Sequence, residues 1–301
     1  MQTTDFEVVV IGGGPAGLSA ALVAGRARRR AALVDGGIPR NAAAPAIRTF
    51  VSRDGILPAE FRKLAREQIA EYPSVSFFSG LVTALGGEDG DFLVSLEDGT
   101  VLKARKVILA VGLIDKLPEI PGVRESWGAG VHHCVFCDGY EHRDGALGLL
   151  VEDPSLLPHV ALFRGWSENL TVFTNGAVFE PAALDSLAAS GIAIETGRIE
   201  QVIPDGSGHS LREIRLSRGR VIPIKSFWIR PQQSQTPLVE SLGLAMREDG
   251  AVARDEAGVS SRSGIYVAGD ISAGPAQQAI LAAADGAKAG YGIARELLLN
   301  H

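Results

Sequence analysis

Cysteine is nearly absent from this chain, since its 301 residues contain only two. Two thiols cannot supply the disulfide framework of a secreted protein, so a reducing compartment with a working dithiol fits the composition better. No apolar run reaches the roughly 18 residues that a membrane-spanning helix requires. Because no basic and apolar leader precedes the first buried strand, we expect a cytoplasmic protein without a membrane partner.

Basic residues are outnumbered, with 29 Lys and Arg against 35 Asp and Glu, and the formal net charge is -6. This negative balance argues against nucleic acid and against anionic membrane surfaces as partners, because both attract basic proteins. Hydrophobic residues make up 46% of the chain and charged residues 21%, as in ordinary soluble globular proteins. The length predicts about two domains.

Two segments of the chain show the same alternation of strand and helix. The first has a buried strand at 7–11, a helix of small residues at 15–27 and a second strand at 31–35. A weaker copy begins with a strand at 146–151. Strands that alternate with helices indicate parallel sheets. We therefore predict an α/β fold with two Rossmann-like three-layer (ββα) domains.

The second predicted domain is inserted into the first. The first domain is predicted to comprise residues 1–115 and 246–301, and the inserted domain residues 116–245. The return near residue 246 precedes a strand-to-turn segment at 264–270 and a long helix of small residues at 275–299.

A glycine-rich turn follows the first predicted strand. Gly12, Gly14 and Gly17 have the spacing G-x-G-x-x-G, which is typical of dinucleotide-binding turns when a strand precedes it and a helix follows. The glycines permit a tight turn, close approach of a pyrophosphate and close packing of helix on strand. Asp35 lies near the position expected for a carboxylate that binds ribose hydroxyls. The turn predicts a dinucleotide and does not distinguish FAD from NAD.

Three later segments resemble the motifs of flavoproteins with two dinucleotide-binding domains. Gly264–Asp270 resembles their second FAD motif, in which the aspartate holds the ribityl chain. Val111 and Gly112 resemble their middle motif. Gln278 and Ala279 begin the last helix, as in these proteins, where N–H groups face the pyrimidine end of the flavin. The resemblance implies that FAD is the cofactor of the first domain.

The two cysteines form the motif Cys134-Val135-Phe136-Cys137. A dithiol at this spacing can form a disulfide and so store two electrons. A zinc site made from this pair with His132 and His133 is the alternative, but adjacent histidines give poor tetrahedral geometry, so no metal is predicted. The two histidines are placed to tune Cys134, although a structural or exposed role is favoured because the sequence shows no partner for them.

The dithiol and the FAD motifs together resemble the low-molecular-weight thioredoxin reductase family over essentially the whole chain. The resemblance implies that Cys137 faces the flavin, that Cys134 exchanges with the substrate sulfur, and that Asp138 manages the thiol proton. It also implies a homodimer and a thioredoxin-like protein or a small dithiol as substrate. The cofactor-binding residues that it indicates are Gly12, Gly14, Pro15, Ala16, Gly17, Asp35, Gly36, Val82, Gly112, Gly269, Asp270, Gln278 and Ala279.

The inserted domain departs from the family pattern where a second glycine fingerprint should bind NADPH. Glu152 and Asp153 follow the strand at 146–151 instead of glycines. Two carboxylates at this position would repel a pyrophosphate. The segment at 174–180 contains no cation that could hold a 2′-phosphate. We therefore predict a degenerate NAD(P)H-type domain and a poor or absent use of NADPH, with binding through an unusual loop as the alternative.

Three readings of the function stay open. A dithiol oxidase would pass electrons from a substrate dithiol through FAD to oxygen, as in the gliotoxin and holomycin branch of the family, although that branch has histidine where this chain has Asp138. A reductase would receive electrons from ferredoxin, from another flavoprotein or, in the conventional case, from NADPH. A redox-sensing flavoprotein without turnover is the third reading, and the intact Cys-x-x-Cys motif argues against it.

Overall fold

The computed structural model describes residues 4–299, which form two compact units. The first unit comprises the chain up to Ala42, Ala46–Ile114 and the chain from Gln233 onward. The second unit comprises Ala43–Pro45 and Asp115–Gln232, so it is inserted into the first. This arrangement, with parallel sheets and helices in both units, confirms the predicted α/β fold.

The elements follow the chain in a regular alternation. The strands are β1 (Thr4–Ile11), β2 (Ala31–Asp35), β3 (Val75–Ser79), β4 (Val82–Glu88), β5 (Asp91–Leu96), β6 (Val101–Leu109), β7 (Ile114–Lys116), β8 (Val131–His132), β9 (Leu147–Leu150), β10 (Leu170–Phe173), β11 (Ala193–Glu195), β12 (Ile199–Pro204), β13 (Leu211–Leu216), β14 (Val221–Pro223), β15 (Ser226–Trp228), β16 (Gln232–Ser234) and β17 (Ile265–Val267). The α-helices are α1 (Pro15–Arg26), α2 (Pro58–Ala70), α3 (Val135–Asp138), α4 (Leu157–Val160), α5 (Pro181–Ala189), α6 (Pro237–Ser241) and α7 (Ala279–Leu299). No helix within residues 4–299 combines the length and the apolar character needed to cross a bilayer.

The first unit is built on a sheet in the order β3-β2-β1-β6-β5-β4, with β17 also paired with β6. Strands β1, β2, β3, β6 and β17 pair in parallel, whereas β4, β5 and β6 form an antiparallel meander. Val8, Val9 and Val10 in β1 are buried on both faces of the sheet. Such a continuous apolar run is typical of a parallel strand covered on both sides.

Small residues let the helices of the first unit pack closely. Helix α1 begins with Pro15 at its first turn, where proline is pre-organised for the helix. A Cβ on Gly17 would lie 1.7 Å from the Gly12 carbonyl oxygen, and a Cβ on Gly286 in α7 would lie 1.9 Å from the Ala16 carbonyl oxygen. Only glycine permits these two approaches, which fix the start of α1 against both the sheet and α7.

The second unit has a parallel sheet in the order β11-β10-β9-β15-β8 and an antiparallel sheet of β12, β13 and β14. Phe173 and Phe227 pack edge to face between them, with ring centroids 5.6 Å apart and both side chains fully buried. The segment after β9 consists of the short helix α4 between two 3-10 turns at Pro154–Leu156 and Ala161–Gly165. It does not form one long helix, because Pro158 lacks the backbone N–H that a helix interior requires.

The chain returns to the first unit at Gln233, whereas the sequence predicts this return near residue 246. The segment between these positions contains α6, and its Leu238 and Val239 are buried in the same core as Val252 and Val267. Helix α6 has only five residues, which is too short for a periodic pattern that would predict its buried face and so the unit to which it belongs.

The substitution Gly286→Ala should destabilise the first unit by about 2 kcal/mol. Overpacking against a backbone atom costs up to about 3 kcal/mol, and the better helix propensity of alanine returns about 1 kcal/mol. Urea unfolding measures the change. Ala284→Ser, on the exposed side of the same helix, is the control and should leave the midpoint nearly unchanged. Unaltered stability of Gly286→Ala would mean that α1 and α7 do not pack this closely.

Candidate active site

The two cysteines form a disulfide in the second unit, with Cα atoms 5.3 Å apart. Cys134 directly follows β8 and precedes helix α3, whose backbone holds the motif in one turn because the N–H groups of Cys137 and Asp138 both donate to the Cys134 carbonyl oxygen at 3.2 Å. The structure therefore brings the three predicted catalytic residues together. Within residues 4–299, no group of three or more His, Cys, Asp and Glu side chains is arranged to hold a metal ion.

Aromatic side chains surround this turn. Phe136, inside the motif, is 58% exposed and contacts the Trp166 ring edge to face, with centroids 5.2 Å apart. Tyr140 is also exposed, and the Arg143 guanidinium lies 4.1 Å from its ring centroid. These residues form an apolar and aromatic surface next to the disulfide, which the sequence motif alone does not predict.

A buried imidazole lies behind Asp138. His132, at the end of β8, is buried, and its Nδ1 lies 3.5 Å from Asp138 Oδ2. Its ring packs against those of His142, at 4.8 Å, and Trp228, at 5.4 Å, between centroids. Of the two roles expected for the histidines, structural or exposed, burial excludes the exposed one for His132, while His133 is half-buried.

The environment of His142 disfavours its protonated form. Burial is the main cause that lowers the pKa of His142 to about 4, and the nearby His132 and Lys225 lower it further. The Asp138 carboxylate has a smaller, opposite effect. Desolvation is the largest cause because a charged imidazole loses more hydration energy on burial than a neutral one. His142 is consequently neutral at physiological pH.

The glycine turn of the first unit leaves the start of α1 open. Gly14 is the N-cap residue, no side chain caps the helix, and its first turn, with Pro15, Ala16 and Gly17, contains no acidic residue. A Cβ on Gly14 would meet no atom within 4 Å. Unpaired N–H groups beside open space suit a pyrophosphate, so these residues fit a dinucleotide.

Asp35 lies at the end of β2 beside this turn. Its Oδ1 accepts a hydrogen bond from the Gly37 N–H at 2.9 Å, and its Oδ2 pairs with Arg62 at 2.5 Å and Arg66 at 3.5 Å. A Cβ on Gly13 would lie 2.2 Å from the Asp35 carboxyl carbon, so a larger residue at this position would displace the Asp35 carboxylate. The carboxylate is thus held in place at the edge of the turn by two arginines.

A second part of the predicted FAD site gathers around Asp270. Gly269 has φ +78°, a conformation that glycine adopts readily. The Asp270 carboxylate pairs with Arg40 Nη1 at 2.8 Å, and the same nitrogen donates to Gln277 Oε1 at 2.7 Å. Gly112 has φ +68°, and a Cβ added to it would lie 3.9 Å from the Arg40 Cβ. These contacts connect the middle and second FAD motifs.

The remaining predicted cofactor residues lie in the first unit. The backbone carbonyl oxygen of Gln278 accepts a hydrogen bond from the Ala282 N–H at 2.9 Å, and Ala279 is the first residue of α7. Val82 begins β4 and packs against the core. Gly36 is exposed, and a Cβ on it would lie 2.5 Å from Leu81. A cavity of about 270 Å³ is lined in part by Gly269, Asp270 and Ala282.

In the second unit, carboxylates occupy the end of β9. Glu152 Oε1 accepts a hydrogen bond from Asn175 Nδ2 at 2.8 Å, and Asn175 Oδ1 accepts from the Ile199 N–H at 2.8 Å. Asp153 accepts from the Ser155 N–H at 2.8 Å, and this hydrogen bond lowers the pKa of Asp153. Both carboxylates therefore lie at the carboxyl edge of the parallel sheet, where α/β proteins bind ligands.

Comparison with known proteins agrees with this arrangement. Residues 6–151 match the family model described as pyridine nucleotide-disulphide oxidoreductase. The thioredoxin reductase sirT of Leptosphaeria maculans is 32% identical over 305 residues, which cover 96% of this chain and 93% of that protein. The chain belongs to the low-molecular-weight thioredoxin reductase family. It is accordingly an FAD-dependent disulfide oxidoreductase, as the motifs predict.

Two solved structures extend the similarity to the whole fold of this thioredoxin reductase-like chain. An oxidoreductase from Agrobacterium tumefaciens is 38% identical, with a TM-score of 0.90 and coverage of 99% of this chain and 100% of that one. The thioredoxin reductase TrxB of Bacillus anthracis is 32% identical, with a TM-score of 0.92 and coverage of 98% and 99%. The family recognition and the fold are thereby confirmed.

Several residues that contact the predicted site residues of this family member escape sequence reasoning. Arg40 and Arg62 pair with the two predicted aspartates of the cofactor site, and His142 and Trp228 pack around the imidazole behind Asp138. None of them belongs to a local motif. Gly13 does carry a signal, because it is a fourth glycine inside the turn Gly12–Gly17 and it faces Asp35.

Acidification should destabilise the protein through His142. Its pKa is about 4 in the folded chain and ordinarily 6.5, so between these values the unfolded chain binds more protons and stability falls as the pH falls. The loss should reach roughly 2 kcal/mol once solvent screening is allowed for. Denaturant unfolding across this range, compared with His142→Phe, isolates the contribution. Equal slopes for the two proteins would contradict a neutral, buried His142.

Proposed function

We propose that this chain catalyses thiol–disulfide exchange between a small dithiol or disulfide and the Cys134–Cys137 pair, with FAD as electron carrier and without efficient use of NADPH. The inefficient use of NADPH is inferred from the carboxylate of Glu152 at the end of β9. Asn175 Nδ2 donates a hydrogen bond of 2.8 Å to Glu152 Oε1 and holds it there. The negatively charged Asp153 follows it. A dinucleotide pyrophosphate arriving at this edge would meet two like charges.

The residues of the redox turn divide the work of exchange. The Cys134 sulfur attacks the substrate sulfur or is attacked by it. Cys137 faces the flavin and exchanges electrons with it. Asp138 takes up the thiol proton, since a thiolate is the species that reacts. The FAD would be held by the open turn at Gly12–Gly17 and by Asp270, and it supplies or accepts the two electrons that the disulfide exchanges.

The aromatic surface beside the disulfide supports a small dithiol as substrate. Exposed aromatic rings offer apolar contact area, and Phe136 lies inside the motif itself. Oxygen would then accept electrons in a dithiol oxidase, whereas ferredoxin or another flavoprotein would supply them in a reductase. A homodimer in the cytoplasm is the assembly that we expect from the family resemblance and the scarcity of cysteine.

A second candidate is an NADPH-dependent reductase of a thioredoxin-like protein. The name of the relative sirT, a thioredoxin reductase similar over 96% of this chain, favours it. In this case the loop after β9 would bind NADPH in a form without glycines. A redox-sensing protein without turnover is disfavoured, because Asp138 lies in one turn with the disulfide and would have no task there.

Anaerobic stopped-flow absorbance of the FAD-loaded protein separates these functions. Dithiothreitol should bleach the flavin quickly. NADPH at equal concentration should act about a hundredfold more slowly or not at all, given a repulsion on the order of 1.4 kcal/mol for each carboxylate. Cys137→Ser is the matched control, which should retain the flavin and lose bleaching by dithiothreitol.

Readmission of oxygen then identifies the electron partner. Fast recovery of the flavin absorbance supports a dithiol oxidase, and slow recovery supports a protein partner such as ferredoxin. Rapid bleaching by NADPH at micromolar concentration would overturn the proposal and establish the second candidate. Bleaching by dithiothreitol that persists in Cys137→Ser would show that the dithiol is not the route of the electrons.

A further inference from the structure

Three ring nitrogens are buried together beside the redox turn without a hydrogen-bond partner among the described protein atoms. They are His132 Nε2, His142 Nδ1 and Trp228 Nε1. Each comes from a different part of the second unit, and the rings are 4.8 to 5.7 Å apart between centroids. An unsatisfied buried polar group costs about 1–3 kcal/mol, so a cluster of three favours a functional reason.

The charged groups around this cluster act in opposite directions. Asp138 is the carboxylate that faces it, with Oδ2 at 3.5 Å from His132 Nδ1. Lys225, whose Nζ donates to the Glu141 carbonyl oxygen at 3.4 Å, opposes a positive charge on His142. Of the two imidazoles, His132 is the one with a ring nitrogen within 3.5 Å of the Asp138 carboxylate.

We propose that His132 is a positioning residue for Asp138 and shares with it the proton that leaves the dithiol. The proposal rests on the exchange reaction proposed above. In this step a thiol S–H bond breaks and an O–H bond forms on Asp138. The proton then passes to His132 Nδ1, which leaves an imidazolium beside a carboxylate. The return of the proton reverses both steps, and no electron moves in either.

This arrangement stabilises the thiolate because the proton moves within the group formed by the thiol, Asp138 and His132, whose net charge does not change. Without His132, the thiol proton would stay on Asp138 as a neutral carboxylic acid. With His132, the same proton is held between two groups of opposite charge, which attract each other. The neutral His142 prevents a second positive charge, which would weaken that attraction.

The pH profile of thiol alkylation tests the proposal. The FAD-loaded protein is reduced with dithiothreitol under anaerobic conditions, desalted and alkylated with iodoacetamide at a series of pH values. His132→Asn keeps a donor near the Nδ1 position but cannot take up a proton. It should raise the apparent pKa of the reactive thiol by about one unit and slow alkylation about tenfold at neutral pH. The exposed His209→Asn is the matched control, with an unchanged profile.

A double-mutant comparison separates coupling from packing. In the background of Asp138→Asn, which removes the carboxylate, the change His132→Asn should have no further effect on the profile. Equal effects with and without the carboxylate, or an unchanged profile in the single variant, would overturn the proposal. Loss of bleaching by dithiothreitol in the native protein would instead overturn the proposed function, and alkylation after chemical reduction would still report on His132.

Nuclear magnetic resonance of the wild-type protein gives the same answer if His132→Asn does not fold. In protein with ¹⁵N-labelled histidine, the His132 ring signals should move toward imidazolium values when the disulfide is reduced, while His209 should not respond. Signals of His132 that are the same in both redox states would contradict the proton sharing.

Discussion

The cofactor surface of the first unit depends on two contacts that leave no room for a side chain. Gly17 lies against the Gly12 carbonyl and Gly286 against the Ala16 carbonyl, and in both places a Cβ would approach the oxygen to less than 2 Å, at 1.7 and 1.9 Å. Because interiors pack at crystal-like density, such contacts fix a helix in one position. The two contacts, with the turn and with helix α7, therefore fix the direction of the N–H groups at the start of α1.

The same constraint is missing at the corresponding place of the second unit. After β9 the chain continues into Glu152 and Asp153, and the short 3-10 and α-helical turns that follow cannot form a continuous helix start. The hydrogen bond from Asn175 holds the Glu152 carboxylate at the sheet edge. An uncapped helix start in one unit thus corresponds to an anionic edge in the other, although both units share the α/β architecture.

Sequence motifs were sufficient to predict the α/β fold and the family, because the residues of each motif are close together in the chain. The spacing of Gly12 to Gly17 and the pair Cys134 and Cys137 are of this kind. The contacts of Arg40 with Asp270 and of Arg62 with Asp35 join residues far apart in the chain, so no local pattern announces them. The burial of His132 was missed for the same reason, since it depends on β15 packing beside β8.

The register of the second sheet separates the redox turn from the carboxylates that follow β9. Strand β15 lies between β8 and β9, and it aligns Trp228 with His132 on one side and with Leu149 on the other. At roughly 4.8 Å between neighbouring strands, the redox turn after β8 and the carboxylates after β9 begin about 10 Å apart at the same edge. The strand between them contributes Trp228, whose ring centroid lies 5.4 Å from that of His132. Substitutions after β9 therefore change one end of this edge, while the positions of His132 and Trp228 depend on β8 and β15.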